Sequence, residues 1–170
     1  KSKIKNISIS ENKEKLALLI PVGTGAGGTV EAADSLAYGL LYLIKENNPD
    51  RIVFFTTELS NKTTLKSLKQ QYFDEFGKEL NKISNFIKIN DIDDFEEFYN
   101  KITNQIKSLK NYHIIVDYTS GTKTMTMAAS IAATVNNLDL MFVSGKRGKN
   151  NIVEKGTEEL RIQNLNKVHQ

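Results

Sequence analysis

Two turns rich in glycine and hydroxyl groups carry the residue types of this chain that are best suited to chemistry. The first turn, Gly23 to Thr29, follows an apolar run at residues 15–22. The second, Thr119 to Lys123, follows an apolar run at residues 112–118. Each turn leads directly into a segment with helical spacing, where unpaired N–H groups and the positive end of the helix dipole favour a phosphate. We therefore expect an anion-binding site at these turns.

The second turn is the more informative of the two. Lys123 falls in the first turn of a predicted helix, where a cation is unfavourable against the dipole unless an anion is bound nearby. Asp117 either binds a ligand ribose or holds the turn, since aspartate accepts hydrogen bonds from the backbone two residues on. Capping explains one or two of the hydroxyl groups without a ligand. The hydroxyl groups belong to Thr119, Ser120, Thr122 and Thr124.

Strands and helices alternate along the chain, which predicts an α/β fold. Strand candidates with β-branched and aromatic residues lie at 15–22, 51–56, 85–90, 112–118 and 138–144. Segments with helical spacing separate them, and the tail from Gly145 to Gln163 predicts a short antiparallel hairpin. The expected fold is a Rossmann-like open, mostly parallel sheet of about six strands, with helices on both faces and the hairpin at its C-terminal edge. Both turns, and Thr56 to Glu58 after the second strand, would then share the carboxyl edge where ligands bind.

Length and composition favour one domain spanning residues 1–170, with a core at about 14–165 and flexible ends. The absence of cysteine excludes disulfides and thiolate metal sites and is compatible with the cytoplasm. A net charge of +3 is too weak to favour duplex nucleic acid. No apolar run reaches the roughly 20 residues that span a bilayer, so no membrane contact is expected. Because the chain begins at Lys1, we expect a piece of a longer protein.

Other catalytic signatures are weak or missing. Gly23, Gly25 and Gly28 satisfy the dinucleotide fingerprint G-x-G-x-x-G, but the acidic residue that should hold a ribose, Glu58, lies 30 positions beyond Gly28 instead of about 20. A Walker motif and an H-E-x-x-H pattern are not matched. His113 sits in an apolar strand and is expected to be structural. The basic loop at residues 146–149 is either a solvated turn or a rim that attracts an anionic ligand. No metal site or cofactor is predicted.

The chain resembles a known family through three elements in order: VGTGAGGT, FFTTELS and DYTSGTKTM. They are similar to the CARF domains, the CRISPR-associated Rossmann-fold sensors, and most of all to the branch in type III CRISPR accessory proteins related to the Csm6 and Csx1 groups. The resemblance runs over nearly the whole chain. It implies a homodimer that binds a cyclic oligoadenylate of four or six adenylates across its two-fold axis.

The resemblance also implies roles for the ligand-binding candidates. The first turn would line the ring, the second would hold phosphates, and the end of the second strand would approach a base or ribose. The residues concerned are Gly23, Thr24 and Gly25 for the ring, Ser120, Gly121, Thr122 and Lys123 for phosphates, and Thr56, Thr57 and Glu58 for the base or ribose. Asp117 and Thr119 complete the candidate set. Family members couple the sensor to an effector, such as a HEPN ribonuclease, but no R-x-x-x-x-H signature is present in this chain.

Some CARF domains cleave their own activator, which adds a catalytic hypothesis. A ribose 2′-OH would attack the adjacent phosphate without a metal, and Lys123, Ser120 and Thr24 would hold the two groups in line and stabilise the developing charge. Two other functions remain open. One is an NAD(P)- or nucleotide-dependent enzyme built on the first turn. The other is a scaffold that dimerises through the small-residue face of the fourth helix, formed by Ala128, Ala129, Ala132 and Ala133.

Overall fold

A computed structural model describes residues 14–167. Its sheet has six strands in the order β3-β2-β1-β4-β5-β6. The first five pair in parallel, and β6 pairs antiparallel with β5. The strands are β1 (Leu16–Pro21), β2 (Arg51–Thr56), β3 (Ser84–Lys88), β4 (His113–Asp117), β5 (Asp139–Ser144) and β6 (Glu159–Gln163). The predicted Rossmann-like fold and its C-terminal edge hairpin are confirmed, whereas the predicted flexibility of the ends concerns residues outside the described range.

Five α-helices cover the two faces of this sheet in the described part of the chain. They are α1 (Val30–Asn47), α2 (Glu58–Lys62), α3 (Thr64–Phe76), α4 (Phe95–Ser108) and α5 (Lys123–Val135). Thr29 caps the start of α1 by accepting a hydrogen bond from the Ala32 amide. Asn48 ends the same helix in the left-handed conformation, with its amide bonded to the Ile44 carbonyl. Between β2 and β3 the chain forms two helices, α2 and α3, which meet at Thr63.

The continuous apolar character of the strands follows from burial on both faces of the sheet. Successive residues of β1 point to opposite sides, so Leu18 and Ile20 pack with α1 and α3 while Ala17 and Leu19 pack with α4 and α5. All four side chains are completely buried. The chain thus forms two hydrophobic layers separated by the sheet.

The small-residue face of α5 points towards the sheet and lies in the hydrophobic layer that α4 and α5 form with it. Ala128, Ala129, Ala132 and Ala133 are fully buried in the layer between the sheet and α4. Small side chains allow the helix to approach the sheet closely. This placement rules out the alanine face as the surface through which a scaffold would dimerise.

The order of the strands creates a crevice between β1 and β4. These two strands are neighbours in the sheet, but β1 continues into α1 on one face and β4 into α5 on the other. The connections that leave them therefore diverge at the carboxyl edge. In open α/β sheets this reversal point is where ligands bind.

Candidate functional site

The two predicted turns meet at this crevice through their glycines. A Cβ atom at Gly23 would lie 2.8 Å from the backbone nitrogen of Gly121, closer than real Cβ atoms come to other atoms. Gly121 itself has φ +110°, a conformation that side-chain-bearing residues rarely adopt. The backbones of the two turns are thus in direct contact, as the position of both at one sheet edge predicts.

Ser120 fastens the turns together. Its hydroxyl donates to the Pro21 carbonyl at 2.8 Å and accepts a hydrogen bond from the Gly23 amide at 3.2 Å. The side chain is only 7% exposed. Because both hydrogen-bonding capacities are used within the protein, the Ser120 hydroxyl holds the site together in this structure and does not point free into solvent.

The N-terminus of α5 contributes the anion-binding features. Thr122 caps the helix by accepting from the Met125 amide at 3.2 Å and donates its hydroxyl to the Ile92 carbonyl at 3.0 Å. The amides of Lys123 and Thr124 have no partner inside the helix because they belong to its first turn. Lys123 is exposed and lines the adjoining cleft. The free N–H groups of the first turn of α5 and the Lys123 side chain therefore lie at the same end of the helix, beside the cleft.

A cleft of about 1100 Å³ opens above this contact. Five of its walls lie at the carboxyl edge of the sheet, namely residues 22–26, 57–59, 88–92, 119–123 and the connection between β5 and β6, and α1 forms a sixth. The volume exceeds what one phosphate needs and lies slightly above the range of about 300–1000 Å³ that is typical of small-molecule sites. The size and the several walls suit a ligand with many groups.

The fifth wall is the C-terminal arm, defined as residues 145–158 between β5 and β6. It folds back on itself through an antiparallel bridge between Arg147 and Val153. The Val153 carbonyl accepts a hydrogen bond from the Ser35 hydroxyl of α1 at 2.9 Å, which fixes the arm over the first helix. Arg147 and Glu158 line the cleft. Of the two interpretations of the basic loop, Arg147 fits a rim, whereas Lys146 and Lys149 do not line the cleft.

Ten of the predicted ligand-binding residues line the cleft. They are Gly23, Thr24, Gly25, Thr57, Glu58, Thr119, Ser120, Gly121, Thr122 and Lys123. Thr57 is also the N-cap of α2, in a reciprocal capping box with Ser60. Glu58 pairs with Lys62 at 2.6 Å, and this hydrogen bond holds the pKa of its exposed carboxyl below the usual value.

Thr56 and Asp117 do not line the cleft, although both were predicted to contact the ligand. Thr56 is 5% exposed at the end of β2, and Asp117 is completely buried at the end of β4. One carboxylate oxygen of Asp117 accepts from the Thr119 amide at 3.2 Å and from its hydroxyl at 2.5 Å. The Thr119 hydroxyl in turn accepts from the Val143 amide at 2.9 Å. Asp117 therefore holds the turn, one of its two predicted roles.

Burial gives Asp117 unusual titration behaviour. Desolvation raises the pKa of its carboxyl to about 7, and the hydrogen bonds from Thr119 only partly oppose this rise. The second carboxylate oxygen, Oδ2, is buried without a hydrogen-bond partner among the described residues. A protonated carboxyl group beneath the second turn is the expected state in weakly acidic solution.

Sequence reasoning missed three contributions to the cleft. Ser35 and Leu36 come from α1, Lys88 and Asn90 from the end of β3 and the loop after it, and Glu158 from the C-terminal arm. The residues after β3 had a usable signal, because β3 is a parallel strand whose end shares the edge of the sheet. No local pattern marks Glu158, which arrives only because the chain reverses after β5.

The other candidate features lie elsewhere. His113 is at the opposite end of β4, with Nε2 3.5 Å from Oδ2 of Asp139 and a half-exposed side chain. His169 is outside the described range. Residues 14–167 contain no cluster of three or more side chains that could ligate a metal. None of the helices in that range is both long and apolar enough to cross a membrane.

Comparison with known families agrees with this geometry. A family described as the Csa3 CRISPR-associated Rossmann-like domain matches residues 33–153. The chain belongs to this family. A search of curated proteins found no match.

Solved structures support the same fold. Csm6 from Enterococcus italicus, bound to cyclic hexa-2′-fluoro-hexa-dAMP, is 18% identical with a TM-score of 0.54 over 77% of this chain and 33% of its own. Can2 from Sulfobacillus thermosulfidooxidans, in complex with cyclic tetra-adenylate, is 14% identical with a TM-score of 0.58 over 75% of this chain and 30% of its own. Protein VC1899 from Vibrio cholerae is 14% identical with a TM-score of 0.50 over 76% and 30%. The chain thus matches about a third of each larger protein.

Proposed function

We propose that this CRISPR-associated domain is a sensor that binds a cyclic oligoadenylate of four or six adenylates. The observation that carries the proposal is the cleft at the β1–β4 crevice, where Gly23 and Gly121 bring two turns into contact beside Lys123. Csm6 and Can2, which contain a similar fold, are bound to cyclic hexa-2′-fluoro-hexa-dAMP and cyclic tetra-adenylate, respectively, and this supports the proposal. The ring would place phosphates against the N-terminus of α5 and the Lys123 ammonium group.

The charge around the cleft fits a ligand that carries both phosphates and nucleosides. Lys88, Lys123 and Arg147 contribute positive charge, and each is exposed at its rim. Backbone amides of the glycine turns offer further donors without the cost of ordering long side chains. Glu58 lies at the same edge and would accept hydrogen bonds from a ribose or base.

We further propose that two copies of the chain share one ring. The outer face of α5 exposes Met127, Ile131 and Val135 at 54%, 41% and 69%, spaced by four residues and so aligned along the helix. Lys123 precedes this stripe by the same spacing at the edge of the cleft. A second copy packed on the stripe would bring two clefts together about a two-fold axis, which suits a ring with even symmetry.

Calorimetric titration tests the sensor proposal. Purified protein is titrated with cyclic tri-, tetra- and hexa-adenylate and with NAD. We expect binding of the tetra- or hexa-adenylate ring, with at least tenfold weaker binding in the variant Lys123→Ala because a charge-assisted phosphate contact is lost. Lys110→Ala, an exposed lysine just before β4, is the matched control and should bind like the wild type.

The same titration distinguishes the competing enzyme function. Saturable binding of NAD with no binding of any ring would overturn the sensor proposal in favour of a dinucleotide enzyme, for which the position of Glu58 in the cleft is the supporting observation. Ring cleavage is followed in parallel by chromatography of the bound nucleotide. Attack by the 2′-OH would form a 2′,3′-cyclic phosphate and break the P–O5′ bond, and the 5′-oxygen would leave as a hydroxyl group. A linear product with these two ends, formed without added metal, would support this step, whereas an intact ring after hours would reject cleavage.

A further inference from the structure

The C-terminal arm brings the carboxylate of Glu158 into a cleft that already contains Glu58 beside the positive charges of Lys88, Lys123 and Arg147. Ser144 pairs with Glu159 across the β5–β6 ladder, so Glu158 lies just beyond the paired residues, opposite Gly145 at the carboxyl edge of the sheet. The arm is anchored next to it, because the Thr157 hydroxyl accepts from the Lys146 amide at 2.9 Å and donates to the Glu154 carbonyl at 2.7 Å. Glu158 therefore enters the cleft from a braced segment.

The two oxygens of this carboxylate differ. Oε2 accepts a hydrogen bond from the Gly156 amide at 2.7 Å. Oε1 is shielded from solvent and has no hydrogen-bond partner among residues 14–167. A buried carboxylate oxygen without a donor carries a large desolvation cost, and such atoms are rare in native proteins. Oε1 of Glu158 therefore needs a hydrogen-bond donor that the described residues do not provide.

The basic residues of the same arm do not supply it. Lys146 lies 3.6 Å from Glu154, and Arg147 donates to the Asn151 carbonyl at 2.7 Å. Lys155, three residues before Glu158, lies over the ring of Tyr38, and Glu158 takes part in no ion pair among the described residues. Its position cannot be explained as one half of a salt bridge on the surface of the arm.

We propose that Oε1 of Glu158 accepts a hydrogen bond from a donor group on the cyclic oligoadenylate and so determines specificity at this site. The inference rests on the proposed sensor function. Phosphates are acceptors and would be repelled by a carboxylate, so Glu158 must face a nucleoside part of the ring. The donors available there are the exocyclic amine of adenine and the ribose 2′-OH; acidic residues accept from the ribose hydroxyl in dinucleotide sites, and a carboxylate can equally accept from an exocyclic amine.

The variant Glu158→Gln gives a sharp test because glutamine has only one acceptor oxygen. The Gly156 amide uses that oxygen, which leaves the side-chain NH₂ facing the donor of the ligand. We expect affinity for the ring that the wild type binds, cyclic tetra- or hexa-adenylate, to fall at least tenfold. Glu154→Gln is the matched control, since it makes the same charge change on the same arm at a residue that does not line the cleft.

Modified rings identify the donor. A ring of purine ribosides lacks the exocyclic amine, and a ring of 2′-deoxyadenylates lacks the 2′-OH. The ring that lacks the relevant donor should bind the wild type weakly and be insensitive to Glu158→Gln, whereas the other ring should remain sensitive. Glu158→Ala also removes the acceptor and replaces Glu158→Gln in these titrations if the glutamine variant has a lowered thermal midpoint.

Three outcomes would overturn the inference. Wild-type affinity in both Glu158 variants would show that no ligand donor is involved. Equal sensitivity of all rings to Glu158→Gln would show that the residue only shapes the arm. Failure of the wild-type protein to bind any ring would instead reject the sensor function itself, and the inference would fall with it.

Discussion

At the scale of single residues, the most consequential group is one that never touches the ligand cleft. Asp117 is buried below the second turn and holds Thr119 by two hydrogen bonds, while Thr119 receives the Val143 amide of β5. This chain of contacts connects the ends of β4 and β5. A buried carboxyl of this kind links the protonation state of the protein to the shape of the turn.

Asp117→Asn should remove a pH dependence of stability. The folded protein keeps the Asp117 proton up to a pKa of about 7, whereas an unfolded aspartate releases it near pH 4. The folded state therefore binds more protons in this interval, and the free energy of unfolding contributed by Asp117 falls as pH rises from about 4 to 7, by up to about 1.4 kcal/mol per pH unit. Asparagine keeps the acceptor for Thr119 and does not ionise.

Urea unfolding at pH 5, 6, 7 and 8 measures this effect as the difference between wild type and variant. The variant should gain stability relative to the wild type as pH rises to 7. Asp74→Asn, an exposed residue of α3, should run parallel to the wild type. Parallel curves for Asp117→Asn as well would contradict the role of the buried carboxyl.

At the scale of elements, the site depends on two turns that approach more closely than side chains allow. The backbone of Gly23 abuts Gly121, and the Ser120 hydroxyl bridges the Pro21 carbonyl and the Gly23 amide. The turns behave as one unit although nearly 100 residues separate them in sequence. The relative position of the first helix and of α5 is set by this contact.

Gly23→Ala should separate the turns. The new Cβ atom would meet the Gly121 backbone nitrogen at 2.8 Å, and neither backbone can yield without breaking the Ser120 hydrogen bonds. We expect destabilisation of about 1–3 kcal/mol, as for other overpacked sites. Gly39→Ala should have the opposite effect. Gly39 lies within α1, no atom is within 4 Å of a Cβ added there, and alanine is the better helix former, so stability should rise by about 0.5–1 kcal/mol.

Urea unfolding of both variants at one pH measures whether the free energy of unfolding falls for Gly23→Ala and rises for Gly39→Ala. A Gly23→Ala protein as stable as the wild type would show that the two turns are not constrained by their contact. The calorimetric titration then reports whether separated turns still bind the ring, for which we expect at least a tenfold loss.

At the scale of the whole molecule, the outer face of α5 is the surface that we propose as a subunit interface. Its inner face is fully buried alanine, and its outer face exposes Met127, Ile131 and Val135. An exposed apolar row is costly in water unless it is covered. The apolar row continues to Lys123 beside the cleft, which is why we propose that one ring would contact two copies.

Ile131→Glu should convert the proposed dimer into a monomer, because two glutamates would face each other across a two-fold interface without compensation. Sedimentation velocity measures the change. Phe73→Glu is the matched control, as Phe73 is 51% exposed on α3 and away from the stripe. A wild-type monomer, or an Ile131→Glu protein that remains dimeric, would contradict the assignment of this face.

The sequence alone determined the fold and the position of the site in outline. Apolar strand runs alternating with helical spacing specify a parallel sheet, and turn residues that follow each strand must then gather at one edge. Local signals suffice for this, since strand direction and periodicity are local properties. Gly23, Ser120 and Lys123, which the sequence predicts for one site, line the same cleft in the structure.

Only the tertiary structure decided what each of these side chains does. Asp117 is buried and supports Thr119 instead of lining the cleft. The Ser120 hydroxyl is hydrogen-bonded to the Pro21 carbonyl. Glu158 reaches the cleft because the chain reverses direction after β5. These outcomes depend on contacts between segments far apart in sequence. Their energies come from desolvation and hydrogen-bond satisfaction, which no local pattern of residues encodes.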